Sequence, residues 1–391
     1  MKERPMPETT QYVVARPEEL EPFARDIFVA LGTPHANAAE VARHLVHSNL
    51  AGHDSHGVMR IPQYVEMIRQ KVVNPSGNPH IHSEMGATVV VDGECTFGQV
   101  AAAYALEVAT SRIQGLGAVV VAIRNANHMG RIGDYVDTAG RNGLVAIVTV
   151  GAAGPGVGGA SPFGGAGAFL STNPWAVGIP SSAPDPSSDG RAEEMRPGEG
   201  DPVLVDFATT VIPEGKVRVA RDSNKPVPEG CILDANGLPT TTAQDFYDGG
   251  VLLPLGGAAA GHKGYGLAFA SALLGALGSI GQPEPNLVGA LPPPGGFDEC
   301  AAGALLILID PAAFGDPIAY RQNVTRVSRA ARRVRPAPGT DAVLIPGDPE
   351  SQSAKRRKVN GISLPRTTWE SLAEIASANG VAMPPATKWV D

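Results

Sequence analysis

A hydroxyl, an imidazole and a guanidinium occur within six consecutive positions of the sequence, on Ser55, His56 and Arg60. A guanidinium matches a carboxylate through two parallel hydrogen bonds, and a hydroxyl with backbone N–H groups at a helix entrance can complete an anion site. Tyr64 follows one helical turn later, and Pro62 must lie early in the helix, because a proline deeper inside would remove a helix hydrogen bond. The spacing indicates a carboxylate-binding segment, or equally an ordinary helix cap followed by a surface arginine.

A second histidine stands where a buried strand ends. The Val-rich run from Ala118 to Ile123 predicts a strand, and the segment Arg124–Gly130 that follows it contains His128. Sites in α/β folds tend to lie at strand ends, and a histidine can exchange a proton near neutral pH. His128 is therefore a candidate acid/base group, with a hydrogen-bonded structural histidine as the alternative. A serine hydrolase built on Ser55 or Ser171 is disfavoured, because the sequence contains no G-x-S-x-G elbow.

One glycine-rich segment imitates a dinucleotide fingerprint. Gly154–Gly159 fits the letters G-x-G-x-x-G and follows a predicted strand. The fingerprint requires a helix to begin there, but the run Ser161-Pro162-Phe163-Gly164-Gly165 that follows cannot be a first helical turn. Asn173-Pro174-Trp175 occupies the place of the expected acidic residue. The sequence therefore predicts a glycine-rich wall that lets backbone approach a ligand, without a Rossmann crevice.

Two further segments carry groups that suit a cofactor. Gly261–Gly266 contains Lys263 and precedes the Ala-rich run from Leu267 to Leu277, which predicts a lysine beside a helix N-terminus, well placed for phosphate or carboxylate. A flexible hinge is the alternative, and the glycine spacing is not that of a P-loop. Asp206–Thr210 ends another predicted strand, and its two threonines could cap a turn or hold a ribose.

Composition excludes several classes of protein. The net charge of -8 argues against a nucleic-acid or anionic-membrane surface, and the basic run Lys355–Lys358 is interpreted as a solvated face. Cys95, Cys231 and Cys300 are far apart without C-x-x-C spacing, which predicts a reducing compartment and neither a zinc site nor a disulfide framework. Neither a signal peptide nor a run long enough to span a bilayer is recognised, so we expect a cytoplasmic protein without a membrane or nucleic-acid partner.

The apolar patterns of the sequence predict helices at both ends of the chain and both strands and helices in the middle. Six short apolar runs predict strands: 88–92, 118–123, 145–150, 175–179, 203–206 and 304–310. We therefore predict a helical domain formed by residues 1–85 and 311–391 around an α/β domain at residues 86–310. The segment Ser181–Asp201, rich in Pro, Ser, Gly and acidic residues, is predicted to be a long surface loop.

Taken together, these segments resemble the malate/L-lactate dehydrogenase family of non-Rossmann oxidoreductases, which includes ureidoglycolate and sulfolactate dehydrogenases and piperideine-2-carboxylate reductases. The similarity runs in order over nearly the whole chain. The blocks that carry it are Asp54-Ser55-His56-Gly57 with Arg60 and Tyr64, Asn125-Ala126-Asn127-His128, Pro162-Phe163-Gly164-Gly165, Ser171-Thr172-Asn173-Pro174, Asp206-Phe207-Ala208-Thr209-Thr210, Gly215-Lys216, Pro239-Thr240-Thr241, Gly261-His262-Lys263-Gly264-Tyr265-Gly266-Leu267 and Pro346-Gly347-Asp348.

The resemblance implies a homodimer with its site near the subunit interface, a mostly antiparallel sheet, and hydride transfer between NAD or NADP and a small 2-oxo or 2-hydroxy acid without a metal. It implies that His128 donates and accepts the proton, and that Ser55, His56, Arg60 and Tyr64 hold the substrate. The residues that it implies for the cofactor are Thr172, Asn173, Asp206, Phe207, Ala208, His262, Lys263, Gly264, Pro346, Gly347 and Asp348.

Departures from the family pattern leave the substrate open. Met129 stands where an aromatic residue is common, and Gly154–Ala160 is richer in glycine than usual. A reductase of cyclic imino acids such as piperideine-2-carboxylate is the nearest alternative, because it presents the same carboxylate to Arg60. His56 is the alternative proton donor. The alternative from another class is a dimer that binds carboxylates without catalysis, against which the joint retention of His128, Arg60 and Lys263 argues.

Overall fold

The computed structural model of the chain describes residues 12–182, 200–222, 224–280, 302–385 and 389–390. The strands within these ranges are β1 (Tyr12–Ala15), β2 (His80–Met85), β3 (Thr88–Asp92), β4 (Ala118–Ala126), β5 (Val145–Gly151), β6 (Trp175–Ile179), β7 (Val203–Phe207), β8 (Ile232–Leu233), β9 (Pro239–Thr240), β10 (Val251–Leu252), β11 (Ala302–Ile309), β12 (Ile362–Pro365) and β13 (Trp389–Val390). The α-helices are α1 (Pro17–Ala30), α2 (His35–Leu50), α3 (Ile61–Arg69), α4 (Gly98–Arg112), α5 (Gly133–Arg141), α6 (Glu214–Asp222), α7 (Ala243–Tyr247), α8 (Gly257–Gly275), α9 (Pro317–Arg332), α10 (Asp348–Asn360) and α11 (Arg366–Ala378).

The chain divides into two compact units. Residues 1–69 and 349–391 form the terminal unit, and residues 70–348 form the middle unit. The domain limits expected from the sequence, at residues 86 and 310, stay a prediction. Most of the predicted loop Ser181–Asp201 lies outside the described residues.

The middle unit is built on a seven-stranded sheet with the order β2-β3-β4-β11-β5-β6-β7. Every neighbouring pair is antiparallel except β3 and β4, which are parallel. A Rossmann fold has a mostly parallel sheet, so this topology differs from it. The prediction of a mixed α/β chain is confirmed, and antiparallel pairing predominates as expected.

Helices cover both faces of this sheet. Strands β4 and β11 lie at its centre and are nearly continuous apolar runs, as expected for strands buried on both sides. On one face, Val121, Val148 and Leu306 share a core with residues of α4 and α5. On the other face α8 approaches β11 so closely that a Cβ on Gly303 would lie 2.2 Å from the carbonyl oxygen of Gly275. Glycine is required at that crossing because no side chain fits.

A second, smaller core completes the middle unit. It lies under the three-stranded sheet β10-β8-β9 and includes Leu170, Ile232, Leu252 and the buried face of α8. Cys231 is part of it, and both Cys231 and Cys95 are buried, free cysteines. Cys300 lies outside the described residues.

The terminal unit combines helices with a small sheet. Helices α1, α2, α3, α10 and α11 accompany the antiparallel sheet β12-β1-β13. The prediction of a helical domain formed by both chain ends did not include this sheet. Its strand β1 pairs residues Tyr12 to Ala15 with Pro365 to Ile362. Each strand has only four residues, and the partners lie about 350 positions apart, so neither period nor proximity in sequence indicates the pairing.

The predicted position of Lys263 before a helix is wrong. Helix α8 begins at Gly257 and not at Leu267, so Lys263 lies inside it. Four glycines between 257 and 266 lower the helix propensity of this segment by about 1 kcal/mol each relative to alanine. Packing outweighs that cost: a Cβ on Gly264 would lie 2.4 Å from the backbone oxygen of Leu255. The helix therefore starts earlier than its sequence indicates.

Candidate functional site

Ser55, His56 and Arg60 lie together on two consecutive 3-10 helices, Asp54–His56 and Val58–Arg60, that lead into α3. The Ser55 hydroxyl and the His56 Nδ1 atom are 3.1 Å apart. The Arg60 side chain donates from Nε to the Ser55 carbonyl oxygen and from Nη1 to Gln63 Oε1, each at 2.5 Å. Because Arg60 is only 9% exposed, these bonds fix its guanidinium in one orientation. The expected cluster at a helix entrance is present.

Tyr64 differs from its three predicted companions. It is 1% exposed, and its ring lies 6.4 Å from that of Phe28 in the core of the terminal unit. The sequence spacing placed it one turn beyond Arg60, which the structure confirms, but its ring contributes to packing. A contact between Tyr64 and a substrate stays a prediction.

His128 is the second residue after β4, at the strand end where the sequence predicted it, and is half-buried. The segment around it is held by its neighbours. The Asn127 side chain, 7% exposed, donates to the carbonyl oxygens of Val72, Cys95 and Thr96. The Tyr135 hydroxyl donates to the Met129 carbonyl oxygen at 2.6 Å. These bonds restrain the chain on both sides of His128 and so fix the backbone position from which its side chain extends.

Glycine 98 closes the remaining side of that segment. A Cβ on Gly98, the first residue of α4, would lie 2.1 Å from the Asn127 carbonyl oxygen and 2.6 Å from the His128 carbonyl carbon. No side chain fits there, so α4 begins directly against the backbone that carries the histidine.

Asp206 lies near the end of β7 and is bonded to protein groups. One carboxylate oxygen accepts the Gly133 backbone N–H at 3.0 Å and lies 3.6 Å from Arg131 Nε. Since Gly133 begins α5, the carboxylate stabilises a helix N-terminus and anchors the chain that follows His128. Phe207 and Ala208, which come next, are half-buried.

The threonines after Asp206 are bonded to the backbone. Thr209 donates its N–H and its hydroxyl to the Thr172 carbonyl oxygen, and the Thr210 hydroxyl donates to the Ile212 carbonyl oxygen. Of the two roles open to them from sequence, these bonds favour turn stabilisation over ribose binding.

Asn173 attaches the glycine-rich wall to α8. It is 1% exposed with φ +34°, and its side chain bonds to both backbone groups of Ala152 and to the Ala268 carbonyl oxygen. No helix begins in Gly154–Gly159, as predicted when the Rossmann fingerprint was rejected. Asn173 therefore has a clear structural role, and a cofactor contact by it stays a prediction.

His262 and Lys263 are exposed on α8, whereas Gly264 is buried against Leu255. The His262 ring meets the edge of Phe163 with 5.8 Å between centroids. The exposed imidazole and ammonium can both reach a ligand, and the ammonium would attract an anion.

Asp348 forms a buried ion pair. Its two carboxylate oxygens accept from Arg332 at 2.9 and 2.5 Å, and Oδ2 also accepts the Ile345 N–H at 3.0 Å. The two side chains are 4% and 8% exposed. Pro346 accepts the Leu204 N–H through its carbonyl oxygen, and Gly347 has φ +102°. This segment is firmly held to β7, and its predicted cofactor contacts stay predictions.

A charged cluster on α6 and α7 surrounds the Tyr247 hydroxyl and changes its pKa. The Tyr247 hydroxyl donates to Glu214 Oε1 at 2.8 Å, Arg218 pairs with the same carboxylate, and the Arg221 guanidinium lies 4.2 Å from the Tyr247 ring centroid. Burial and the bond to Glu214 raise the pKa of Tyr247 to about 12.

Sequence reasoning missed the side chains that hold the two candidate segments. Asn127 stood in a recognised block but received no role, and Asn49, Arg131 and Tyr135 were not singled out. Arg357 was interpreted as part of a solvated run, which is wrong, because it pairs with Asp54. The partners are 303 positions apart, so no local pattern connects them.

The described residues contain neither a cluster of metal ligands nor a membrane-spanning helix. No group of three or more His, Cys, Asp or Glu side chains there could hold a metal ion. No helix there is long and apolar enough to cross a membrane.

Comparison with known proteins gives consistent matches over nearly the whole chain. The family model described as malate/L-lactate dehydrogenase matches residues 15–373. The malate/(S)-sulfolactate dehydrogenase of Methanothermus fervidus is 34% identical over 366 residues, which are 93% of this chain and 97% of that protein.

Two solved structures are similar. The sulfolactate dehydrogenase of Methanocaldococcus jannaschii has a TM-score of 0.78 at 30% identity, covering 95% of this chain and 98% of its own. The delta1-piperideine-2-carboxylate reductase of Pseudomonas syringae pvar. tomato has a TM-score of 0.74 at 28% identity, covering 93% and 99%.

Proposed function

The chain belongs to the malate/L-lactate dehydrogenase family, and we propose that it reduces a small 2-oxo acid to its 2-hydroxy acid, and catalyses the reverse reaction, with NADH or NADPH. The family supports an enzyme over a non-catalytic carboxylate-binding dimer. The observation that carries the proposal is the buried Arg60 guanidinium, held beside Ser55 and His56. A rigid guanidinium is the group that best recognises a carboxylate, which every acid of this class contains.

In this proposal the residues divide the work. Arg60 binds the substrate carboxylate, with Ser55 and His56 holding the adjacent oxygen. His128 donates a proton to the carbonyl oxygen during reduction and removes it during oxidation. General acid catalysis of this kind contributes about 10²- to 10⁴-fold to the rate. The fixed backbone around His128 supports this role, because a proton donor is effective only when it is correctly positioned.

The described side chains suit the phosphates of a dinucleotide better than its ribose hydroxyls. His262 and Lys263 are exposed, and Lys263 can meet a phosphate. The carboxylates of Asp206 and Asp348, which would suit a ribose, already accept hydrogen bonds from protein groups. When bound, the nicotinamide ring supplies or accepts the hydride. We also propose a homodimer in the cytoplasm.

A substrate panel tests the proposal. Pyruvate, oxaloacetate and sulfopyruvate are offered with NADH and with NADPH, and loss of cofactor absorbance is followed. We expect at least one 2-oxo acid to be reduced. No oxidation of either cofactor with any 2-oxo acid would contradict the proposal.

The second candidate function changes only the bond that is reduced. The structural similarity to a piperideine-2-carboxylate reductase favours a C=N reductase acting on a cyclic imino acid. Including Δ1-piperideine-2-carboxylate in the panel separates the two, since turnover of this compound alone would select the second function.

A further inference from the structure

The side chain of Asn49 connects the two 3-10 helices that carry Ser55, His56 and Arg60. Asn49 lies in the last turn of α2 and is completely buried. Its Oδ1 atom accepts the Val58 N–H at 2.9 Å, and its Nδ2 atom donates to Asp54 Oδ1 at 2.6 Å. One amide therefore fixes the first residue of each short helix.

Gly57, which joins these helices, fits closely against that amide. A Cβ on Gly57 would lie 2.2 Å from Asn49 Oδ1 and 2.3 Å from its Cγ. The segment from Asp54 to Arg60 thus has its internal spacing set by a buried side chain, since neither the glycine nor the amide can be replaced without moving the chain.

The charge that completes this arrangement comes from α10. Arg357 donates from Nη1 to Asp54 Oδ1 at 2.6 Å and from Nη2 to Oδ2 at 2.9 Å, which is a bidentate pair. Its Nη1 also donates to the Asn49 carbonyl oxygen. Arg357 therefore contacts both residues of the network, at the end opposite Val58.

Helix α10 reaches the start of the segment with one face. Glu350 lies 3.3 Å from His53 Nε2, and a Cβ on Gly52 would lie 3.0 Å from Ser353 Oγ. Residues 350, 353 and 357 have the spacing of a single helical stripe, and they meet residues 52, 53 and 54. Three contacts between one helix face and three consecutive residues fix the position of the segment more specifically than a single exposed ion pair would.

We propose that Asn49, Asp54 and Arg357 are positioning residues that set the place of Ser55, His56 and Arg60 and thereby determine the affinity for the substrate carboxylate. The proposal rests on the function proposed above for Ser55, His56 and Arg60. In this proposal the positioning residues act through Ser55, His56 and Arg60 and do not touch the acid. The Asp54 side chain is 42% exposed and that of Arg357 is 18% exposed, so the pair adds little to stability by itself. The effect of the pair should instead appear in substrate binding, because a misplacement of about 1 Å in a group that positions the substrate can lower activity by up to about 10²-fold.

The test compares Arg357→Gln with Arg356→Gln, its exposed neighbour on the same helix. For Arg357→Gln we expect the KM of the 2-oxo acid to rise about tenfold, with kcat and the Kd of the cofactor changed less than about threefold. Arg356→Gln should resemble the wild type. Adding millimolar guanidinium to an Arg357→Ala variant should lower its KM, because the free ion can occupy the place next to Asp54.

A double-mutant cycle shows whether the two residues act through one contact. Asp54→Asn, Arg357→Gln and the double variant should all raise KM by similar factors. In wild type KM should rise with salt, since the exposed pair is screened, and this dependence should be smaller in Arg357→Gln. If Arg357→Gln does not fold, Arg357→Lys keeps the charge without the fork and should give an intermediate KM.

Binding of oxamate, a 2-oxo acid analogue, measured by calorimetry separates this proposal from the proposed function. If the wild type binds oxamate and Arg357→Gln binds it about tenfold more weakly, positioning stands even when no acid is turned over. An unchanged KM and an unchanged oxamate Kd in Arg357→Gln, or equal losses of substrate and cofactor affinity, would overturn it.

Discussion

The two candidate segments of this protein are held in different ways. In each, a buried asparagine bonds to backbone groups and a glycine leaves no room for a side chain: Asn49 with Gly57, and Asn127 with Gly98. The His128 segment is held by bonds from the neutral side chains of Asn127 and Tyr135, and the one carboxylate that anchors it, that of Asp206, is only 10% exposed. The segment of Ser55 to Arg60 additionally depends on a partly exposed ion pair from α10. We therefore expect added salt, or the loss of a surface charge, to weaken binding of the acid and to leave the position of His128 unchanged.

The largest expected effect is on proton transfer. His128→Ala should lower kcat by about 10²- to 10⁴-fold, because a general acid is removed, while the Kd of the cofactor changes little. Steady-state kinetics with fluorescence titration of NADH or NADPH measures both. His35→Ala, an exposed histidine on α2, is the control. Turnover close to wild type in His128→Ala would transfer the proton role to His56.

The second prediction tests whether burial determines how much the loss of one ion-pair partner lowers the free energy of unfolding. Asp348→Asn leaves the Arg332 charge buried without its partner, which should lower the free energy of unfolding by about 3–5 kcal/mol. Asp137→Asn breaks an exposed pair with Arg141 and should cost less than about 1 kcal/mol. Urea unfolding measures the two. Similar losses would show that burial is not the deciding difference.

The third prediction concerns the neutral bonds around His128. Asn127→Leu leaves up to three carbonyl oxygens without their donor and should destabilise the protein by about 1–3 kcal/mol, with a lower kcat. The losses of stability and of kcat in Asn127→Leu should not depend on salt, whereas the effect of the Arg357 pair on KM should. Thermal unfolding and kinetics at two salt concentrations check it, with the exposed Asn142→Ala as control. A strong salt dependence would remove the contrast between the segments.

The smallest effect is expected at Tyr247, away from both segments in sequence. The folded protein keeps the phenol proton up to about pH 12, whereas the unfolded chain loses it near pH 10. The stabilisation is therefore present below pH 10 and is lost as the pH rises through about 12. Because the ring is half-buried, solvent screening should limit it to about 1 kcal/mol or less. The free energy of unfolding of Tyr247→Phe, measured from pH 9 to 12, should fall less steeply than that of wild type. Equal slopes would contradict the raised pKa.

The sequence by itself determined the parts of this protein that depend on local patterns. Apolar runs predicted six of the seven strands of the large sheet, with β3 and β6 matching at both ends, because alternation and β-branched residues are local properties. Strand β2 was not predicted, because its residues are mostly polar and exposed. The clustering of Ser55, His56 and Arg60 and the place of His128 after β4 also followed from local spacing. The rejection of the Rossmann fingerprint did as well, since the helix start and the acidic residue that it requires are judged from about 20 consecutive positions.

Only the tertiary structure decided which distant groups hold those segments. Arg357 reaches Asp54 across 303 positions, Asp348 is occupied by Arg332, and Asp206 stabilises the start of α5. It also decided that α8 begins at Gly257, where close packing of glycines outweighs their poor helix propensity. The physical reason is the same in each case. The free energy of these contacts comes from burial and charge pairing that exist only after the chain has folded, so local sequence patterns do not reveal which groups will meet.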